Sequence, residues 1–289
     1  MTRLTALPVL AVLLFVPALA WADARPIAIV AAENFYGDVA RQIGGPDAAV
    51  TSILNNPDQD PHLFEVSPSV GRNVSAARIV IYNGIDYDPW MQTLLRAARS
   101  ADRQTIVVAD LIGAKTGDNP HIWYAPPTML ALAKALSAEL TTDDPGHAAG
   151  YRLRLQRFEA SMQPVEAKIA ALRQRLAGTP ATATEPVFGY MFAALGMKVR
   201  NMAFQLAVMN NTEPGASDVA AFEDDFKTHK VKLLVYNSQA SDPIAARMEK
   251  LAKVSHIPVV GATETEPPGM TYQAWMLSEL DAVEHALPE

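Results

Sequence analysis

Short apolar runs alternate with amphipathic stretches along most of the chain, a rhythm that predicts strands and helices in turn. In the first half, residues 26–32, 48–54, 78–84 and 105–110 read as strands. Three of them are continuous Val/Ile/Leu/Ala runs, as expected where helices cover both faces of a parallel sheet. In the second half the strand candidates are 198–203, 231–237 and 257–263. Ser67-Pro68, Asp88-Pro89 and Asp242-Pro243 each put a capping side chain before a first-turn proline, and so mark helix starts. This alternation predicts an α/β fold of two lobes, each around a central, mostly parallel sheet.

Between the lobes, Asp144-Pro145 opens a stretch that stays helical in composition to Ala177 and stops at Gly178-Thr179-Pro180. As one helix it is about 34 residues and roughly 50 Å long at 1.5 Å per residue. That is too long for a hairpin connection and long enough to join both lobes, with Leu153, Phe158, Met162 and Ile169 among the residues buried against them. Pro164 removes a backbone donor and predicts a kink; two shorter helices broken there are the alternative. The expected division is an export signal at 1–24, a first lobe at 25–143, a helical linker at 144–178 and a second lobe at 179–289.

The export signal rests on a basic start, Met1-Thr2-Arg3, an apolar run at 4–20, and small-x-small sites at Ala18-Leu19-Ala20 and Ala22-Asp23-Ala24. Cleavage is expected after Ala24, with Ala20 the second choice. Pro8 and Pro17 interrupt the apolar run and no basic cluster follows it, which argues against a retained membrane anchor. The chain has no cysteine, so neither disulfides nor a thiol-linked lipid belongs to the expectation, which is a soluble periplasmic monomer without a direct membrane anchor. The formal charge of −7, without a basic stripe to offset it, is a poor start for binding nucleic acid or an anionic membrane surface, and neither is expected as a partner.

Candidate chemistry is concentrated in two short motifs, Asp60-Pro61-His62-Leu63-Phe64-Glu65 and Asn119-Pro120-His121-Ile122-Trp123. Each sets an imidazole directly after a proline, with an acidic or amide residue two positions upstream. One imidazole holds a divalent ion poorly; two that converge from separate loops begin a metal site. His147, His229, His256 and His285 lack this context and read as ordinary surface residues.

The Asp-Pro-His-x-Phe-Glu-x-Ser-Pro run at 60–68, then Ile81-Tyr82-Asn83-Gly84, Pro89-Trp90 and Asn119-Pro120-His121-Ile122-Trp123-Tyr124-Ala125-Pro126, follow one another in order and spacing. This combination resembles the metal-specific solute-binding proteins of ABC transporters, the zinc/manganese/iron receptors often called cluster A-I. The resemblance spans nearly the whole mature chain, with Asn119 where Asp is more usual. It implies a third ligand, His or Glu, before an Ala-Phe-x-Tyr-like run; here Glu185-Pro186-Val187-Phe188-Gly189-Tyr190 puts Glu185 there. It implies a fourth, usually Asp, beyond the last strand, where Glu266-Pro267-Pro268-Gly269 makes Glu266 the candidate and Glu264 the alternative. Many relatives carry an acid at the end of the penultimate strand; this chain has Asn237-Ser238-Gln239, amides placed to support ligands or water from behind.

Two neutral imidazoles and two carboxylates would neutralise a divalent cation in a cleft between the lobes, His62 and His121 from the first, Glu185 and Glu266 from the second. Asp60 and Asn119 are placed to orient the free ring nitrogens, or simply to form turns. Carboxylate oxygens favour Mn²⁺ or Fe²⁺, while the Irving–Williams order keeps Zn²⁺ in contention. The implied function is capture of one divalent transition metal and its delivery to an ABC permease. The alternatives are a non-haem metalloenzyme, with two His and one carboxylate as a facial triad, and a metal-dependent adhesin of the same fold. A second carboxylate argues against the open coordination positions an oxygenase needs.

Overall fold

The computed structural model describes residues 25–56, 64–240 and 242–288; the export signal and most of the first Pro-His motif lie outside these. The first lobe runs β1 (Ile27–Glu33), α1 (Asn34–Gly44), β2 (Ala48–Leu54), α2 (Pro68–Ala76), β3 (Ile79–Tyr82), α3 (Pro89–Ala97), β4 (Gln104–Val107), α4 (Val108–Leu111) and α5 (Thr128–Asp143). A long helix, α6 (Ala148–Leu176), follows a single 3-10 turn. The second lobe runs β5 (Pro180–Ala183), α7 (Gly189–Ala194), β6 (Lys198–Val199), α8 (Met202–Met209), α9 (Ala216–Lys227), β7 (Leu234–Asn237), α10 (Pro243–Val254), β8 (Val259–Ala262) and α11 (Tyr272–Ala286).

Both sheets are parallel and share one topology, β2-β1-β3-β4 in the first lobe and β6-β5-β7-β8 in the second. The chain therefore repeats a fold that its sequence does not visibly repeat. In each sheet the strand order reverses beside the first strand, and ligands of open α/β sheets gather beyond the carboxyl ends of the strands near such a point. The residues after β5 and β8, and the last residue of β7, are thereby brought to one rim.

Helix α6 is continuous for 29 residues, about 44 Å at 1.5 Å per residue, and carries Pro164 in its interior. Its buried face is Tyr151, Phe158, Met162, Val165, Ile169, Leu172 and Leu176, a three-to-four-residue stripe. Packing of that stripe against α1, α5 and α11 outweighs the roughly 3 kcal/mol a helix-interior proline costs. Leu153, expected to be buried, is 47% exposed because two residues from Tyr151 is more than half a turn away. The main apolar core runs without a break from Ile29 and Phe35 in the first lobe, through α6, to Trp275 and Val283 in the second. The lobes are joined by a shared core as well as by a linker.

The prolines marked helix starts correctly at 68, 89 and 243, yet only Asp242 caps by its side chain, accepting from Ile244 N and Ala245 N at 2.8 and 2.9 Å. Asp88 turns the other way and accepts from Asn83 N and Gly84 N, closing the loop after β3. Two expected strands end early because the chain turns into a helix. Residues 108–111 form α4, and the run from 198 leaves the sheet after Val199, where Asn201 takes a left-handed φ of 59° before α8.

Candidate metal centre

His121 sits at the start of a 3-10 turn, Ile122–Tyr124, beyond β4 and α4, and is fully buried. Its ring lies edge-on to Trp123 and Tyr87, at centroid distances of 5.2 and 6.0 Å. Nδ1 lies 2.6 Å from Asn119 Oδ1. The amide orientation is fixed from its other end, since Asn119 Nδ2 donates to Pro186 O at 2.7 Å and a carbonyl only accepts. Oδ1 therefore faces the ring, and Nδ1 is the atom that carries the proton. Nε2 is left with a lone pair, buried, with no hydrogen-bond partner. This is the arrangement a neutral imidazole needs to bind a metal, and it gives Asn119 the orienting role expected of it. Gly189 makes room for it: a Cβ there would lie 2.8 Å from Asn119 Nδ2.

Glu264 Oε2 stands 3.7 Å from His121 Nε2. Two ligands of one ion, each about 2.1 Å from it, stand roughly 3.4 Å apart in a tetrahedral site. Imidazole and carboxylate are thus spaced to share a cation. Tyr87 OH donates to the same Oε2 at 2.9 Å, and Asn237 Nδ2 donates to Oε1. The same Nδ2 reaches Glu185 Oε1 at 3.4 Å. Glu185 and Glu264 are 4% and 1% exposed, and both reach the same Asn237 carboxamide.

Of the residues singled out from sequence, His121 and Glu185 lie at this rim, and His62 is outside the described residues. Glu266 is turned elsewhere. The chain bends at Glu264 and Thr265, so strand alternation does not carry past β8 and the two glutamates diverge. Glu266 faces a cleft of about 430 Å³ with Arg41, Ser52 and Met270, on the α1–β2 side. Its carboxyl is pushed up to about 8 by burial and by Asp38, partly offset by Arg41. Its backbone is held reciprocally by Asn34, whose Nδ2 donates to Glu266 O at 2.7 Å and whose Oδ1 accepts from Glu266 N at 3.0 Å. Among the described residues no three His, Asp or Glu side chains converge closely enough to form a metal cluster by themselves. The other four histidines are exposed, as expected.

Tyr87 is the participant that sequence reading missed. It is carried by the turn after β3, where Gly84, Ile85 and Asp86 all take positive φ, and no residue pattern announces that.

A model of the family described as zinc-uptake complex component A, periplasmic, matches residues 29–286. The chain belongs to that family. As a member of the zinc-uptake component A family it is one of the metal-binding substrate-binding proteins of ABC transporters, which are not enzymes. It is 23% identical over 251 residues to the manganese-binding lipoprotein MntA of Bacillus subtilis (strain 168), covering 82% of this chain and 79% of that protein. It is 24% identical over 288 residues to the iron ABC transporter substrate-binding lipoprotein MtsA of Streptococcus pyogenes serotype M1, covering 92% and 90%. The fold matches the periplasmic zinc-binding protein TroA of Treponema pallidum with a TM-score of 0.76 at 18% identity, over 92% of this chain and all of that one. The relatives' metals are mixed, and among the described residues no helix is long and apolar enough to cross a membrane.

In this member of the family the loop bearing Glu264 is also braced from behind by Glu279 of α11. Glu279 Oε1 accepts from Trp275 Nε1 at 3.1 Å, from Tyr124 OH at 3.4 Å and from Thr263 N at 3.3 Å, while Oε2 is buried without a partner. Burial lifts this carboxyl to about 7, against the three donors that lower it. A raised carboxyl binds its proton more tightly folded than unfolded, so its contribution is full below about 4.5 and is lost as pH rises towards 7. Metal-free protein should therefore lose on the order of 3 kcal/mol through this group between pH 4.5 and 7. Glu279→Gln keeps an accepting oxygen and cannot ionise, so thermal melts should show the wild type losing stability relative to the variant across that window. Parallel pH profiles would refute this account of Glu279.

Proposed function

We propose that this protein captures a single divalent transition-metal ion in the cleft between its lobes and hands it to the membrane permease of an ABC transporter. The ligands in this reading are His62, His121, Glu185 and Glu264. Glu264 takes the place first given to Glu266, because it is Glu264 whose carboxylate stands 3.7 Å from His121 Nε2. The observation that carries the reading is that unpartnered, buried lone pair of His121 Nε2 facing the carboxyl group of Glu264 at 3.7 Å. A cation supplies the missing partner.

Two carboxylates and two imidazoles neutralise the ion's charge and favour Mn²⁺ or Fe²⁺ more than a histidine-richer set would, with Zn²⁺ still competing through its intrinsic affinity. The relatives with manganese- and iron-binding names support that preference. In this reading the protein works as a monomer in the periplasm, after removal of residues 1–24. Metal analysis of protein recovered from its native compartment tests the reading. One equivalent of manganese or iron is expected; a protein isolated metal-free that also fails to take up Mn²⁺, Fe²⁺ or Zn²⁺ would overturn it.

A further inference from the structure

Helix α1 carries two stripes. Phe35, Tyr36, Val39, Ala40 and Ile43 enter the main core, while Asn34, Asp38 and Gln42, four residues apart, line up beside them as one polar row. The row faces the second lobe. Asp38 Oδ2 accepts from Tyr272 N at 2.9 Å, and Gln42 exchanges hydrogen bonds with the Gln273 carboxamide, Nε2 to Oε1 at 3.0 Å in each direction. Asn34, at the head of the row, meets the N–H and the C=O of a single residue, Glu266, with its own acceptor and donor.

That grip falls on the segment that bears Glu264. Gln239 ties the segment to the second lobe, its Oε1 accepting from Glu264 N and Thr265 N at 2.6 and 2.9 Å. The segment is also tied to the first lobe at both of its ends, by Tyr124 OH, which donates to Thr263 O at 2.8 Å, and by Asn34 at Glu266. His121 belongs to the first lobe, so the 3.7 Å between its Nε2 and Glu264 Oε2 is a distance between lobes. It holds while the 263–266 segment stays seated on α1. Without Asn34 the downstream anchor is gone, and the carboxylate spends time in positions from which it cannot share an ion with His121.

We propose that Asn34 is a positioning residue for metal binding, whose carboxamide latches the Glu264 segment to the first lobe so that the two lobes hold their ligands at one-ion spacing before the ion arrives. The inference rests on the reading of Glu264 as a ligand. It adds to that reading a group that touches no metal and acts on every ion alike.

Titrations of the full chain with Mn²⁺ and with Zn²⁺ test it. Asn34→Ala is expected to weaken both by about tenfold, as when the seated arrangement falls to roughly a tenth of the population. Because no ligand is exchanged, the ratio of the two affinities should stay at the wild-type value. Gln42→Ala is the comparison: it removes interlobe hydrogen bonds from the same row, about 12 Å further along α1, and should lower the melting temperature while leaving both affinities within about twofold of wild type. An equal loss of affinity in the two variants, or none in Asn34→Ala, overturns the role given to Asn34 and leaves the metal site standing. Wild type that binds neither ion, or Glu264→Ala that binds both as wild type does, overturns the site and the inference with it. Hydrogen exchange on the wild type gives a readout that needs no variant. The Glu266 amide, which donates to Asn34 Oδ1, should already be protected in metal-free protein; exchange at the rate of an open loop would refute the latch.

Discussion

Replacing His121 is expected to weaken binding of Mn²⁺ and Zn²⁺ by more than about a hundredfold, beyond the 10–100-fold typical of losing a group that merely supports a ligand. The reason is geometric. Asn119 fixes the ring and its tautomer, so Nε2 is delivered as a lone pair at no further ordering cost when metal arrives. The choice of replacement matters because His121 is not a dispensable loop residue. It is fully buried between Tyr87 and Trp123, and alanine would leave a cavity costing about 2 kcal/mol of stability in addition to the lost ligand. His121→Phe keeps the aromatic volume without the nitrogen. It should lose metal while the metal-free protein melts close to wild type, and His62→Ala should lose metal as well. Calorimetric titrations that found wild-type affinity in both His121→Phe and His62→Ala would remove the site from these residues.

How much of this was legible in the sequence varied with the kind of signal. The α/β class, the helix-starting prolines and most strands were readable because continuous apolar runs and Pro-capped starts are local properties. β5 was not, although it is an interior strand and carries Glu185 to the rim. Its sequence, Pro180-Ala181-Thr182-Ala183, has no bulky branched run and starts with proline; its place comes from pairing with β6 and β7. Neighbouring strands, not intrinsic propensity, make it a strand.

The candidate site followed the same rule. His121 with Asn119 was readable because the two are two residues apart and the turn keeps them together. Choosing between Glu264 and Glu266 was beyond sequence reasoning. Alternation would aim both side chains the same way, and what separates them is a bend stabilised by Gln239 and by Asn34 in the other lobe, more than 200 residues away in the chain. Tyr87 and Glu279 went unread for a similar reason. Each acts through a contact with the 263–264 segment, and nothing in an ordinary tyrosine or a helical glutamate announces that partner.

Glu185→His is expected to raise the zinc-to-manganese affinity ratio by one to two decades, each decade being worth about 1.4 kcal/mol. The substitution removes a negative charge and a hard oxygen ligand and supplies a borderline nitrogen that suits four-coordinate zinc. The position is well prepared for such an exchange. Glu185 stands in extended backbone directly after β5 and Thr184, ahead of a 3-10 turn beginning at Pro186, and its side chain makes no cap hydrogen bond to that turn. The plainer account, a polar residue that merely caps before a proline, therefore loses its usual support. Manganese should therefore lose affinity through the missing hard oxygen, while zinc gains a nitrogen that suits it. Competition titrations with the two ions on wild type and Glu185→His measure the ratio directly. An unchanged ratio would place Glu185 outside the coordination sphere and remove the main physical reason for preferring manganese or iron as the cargo.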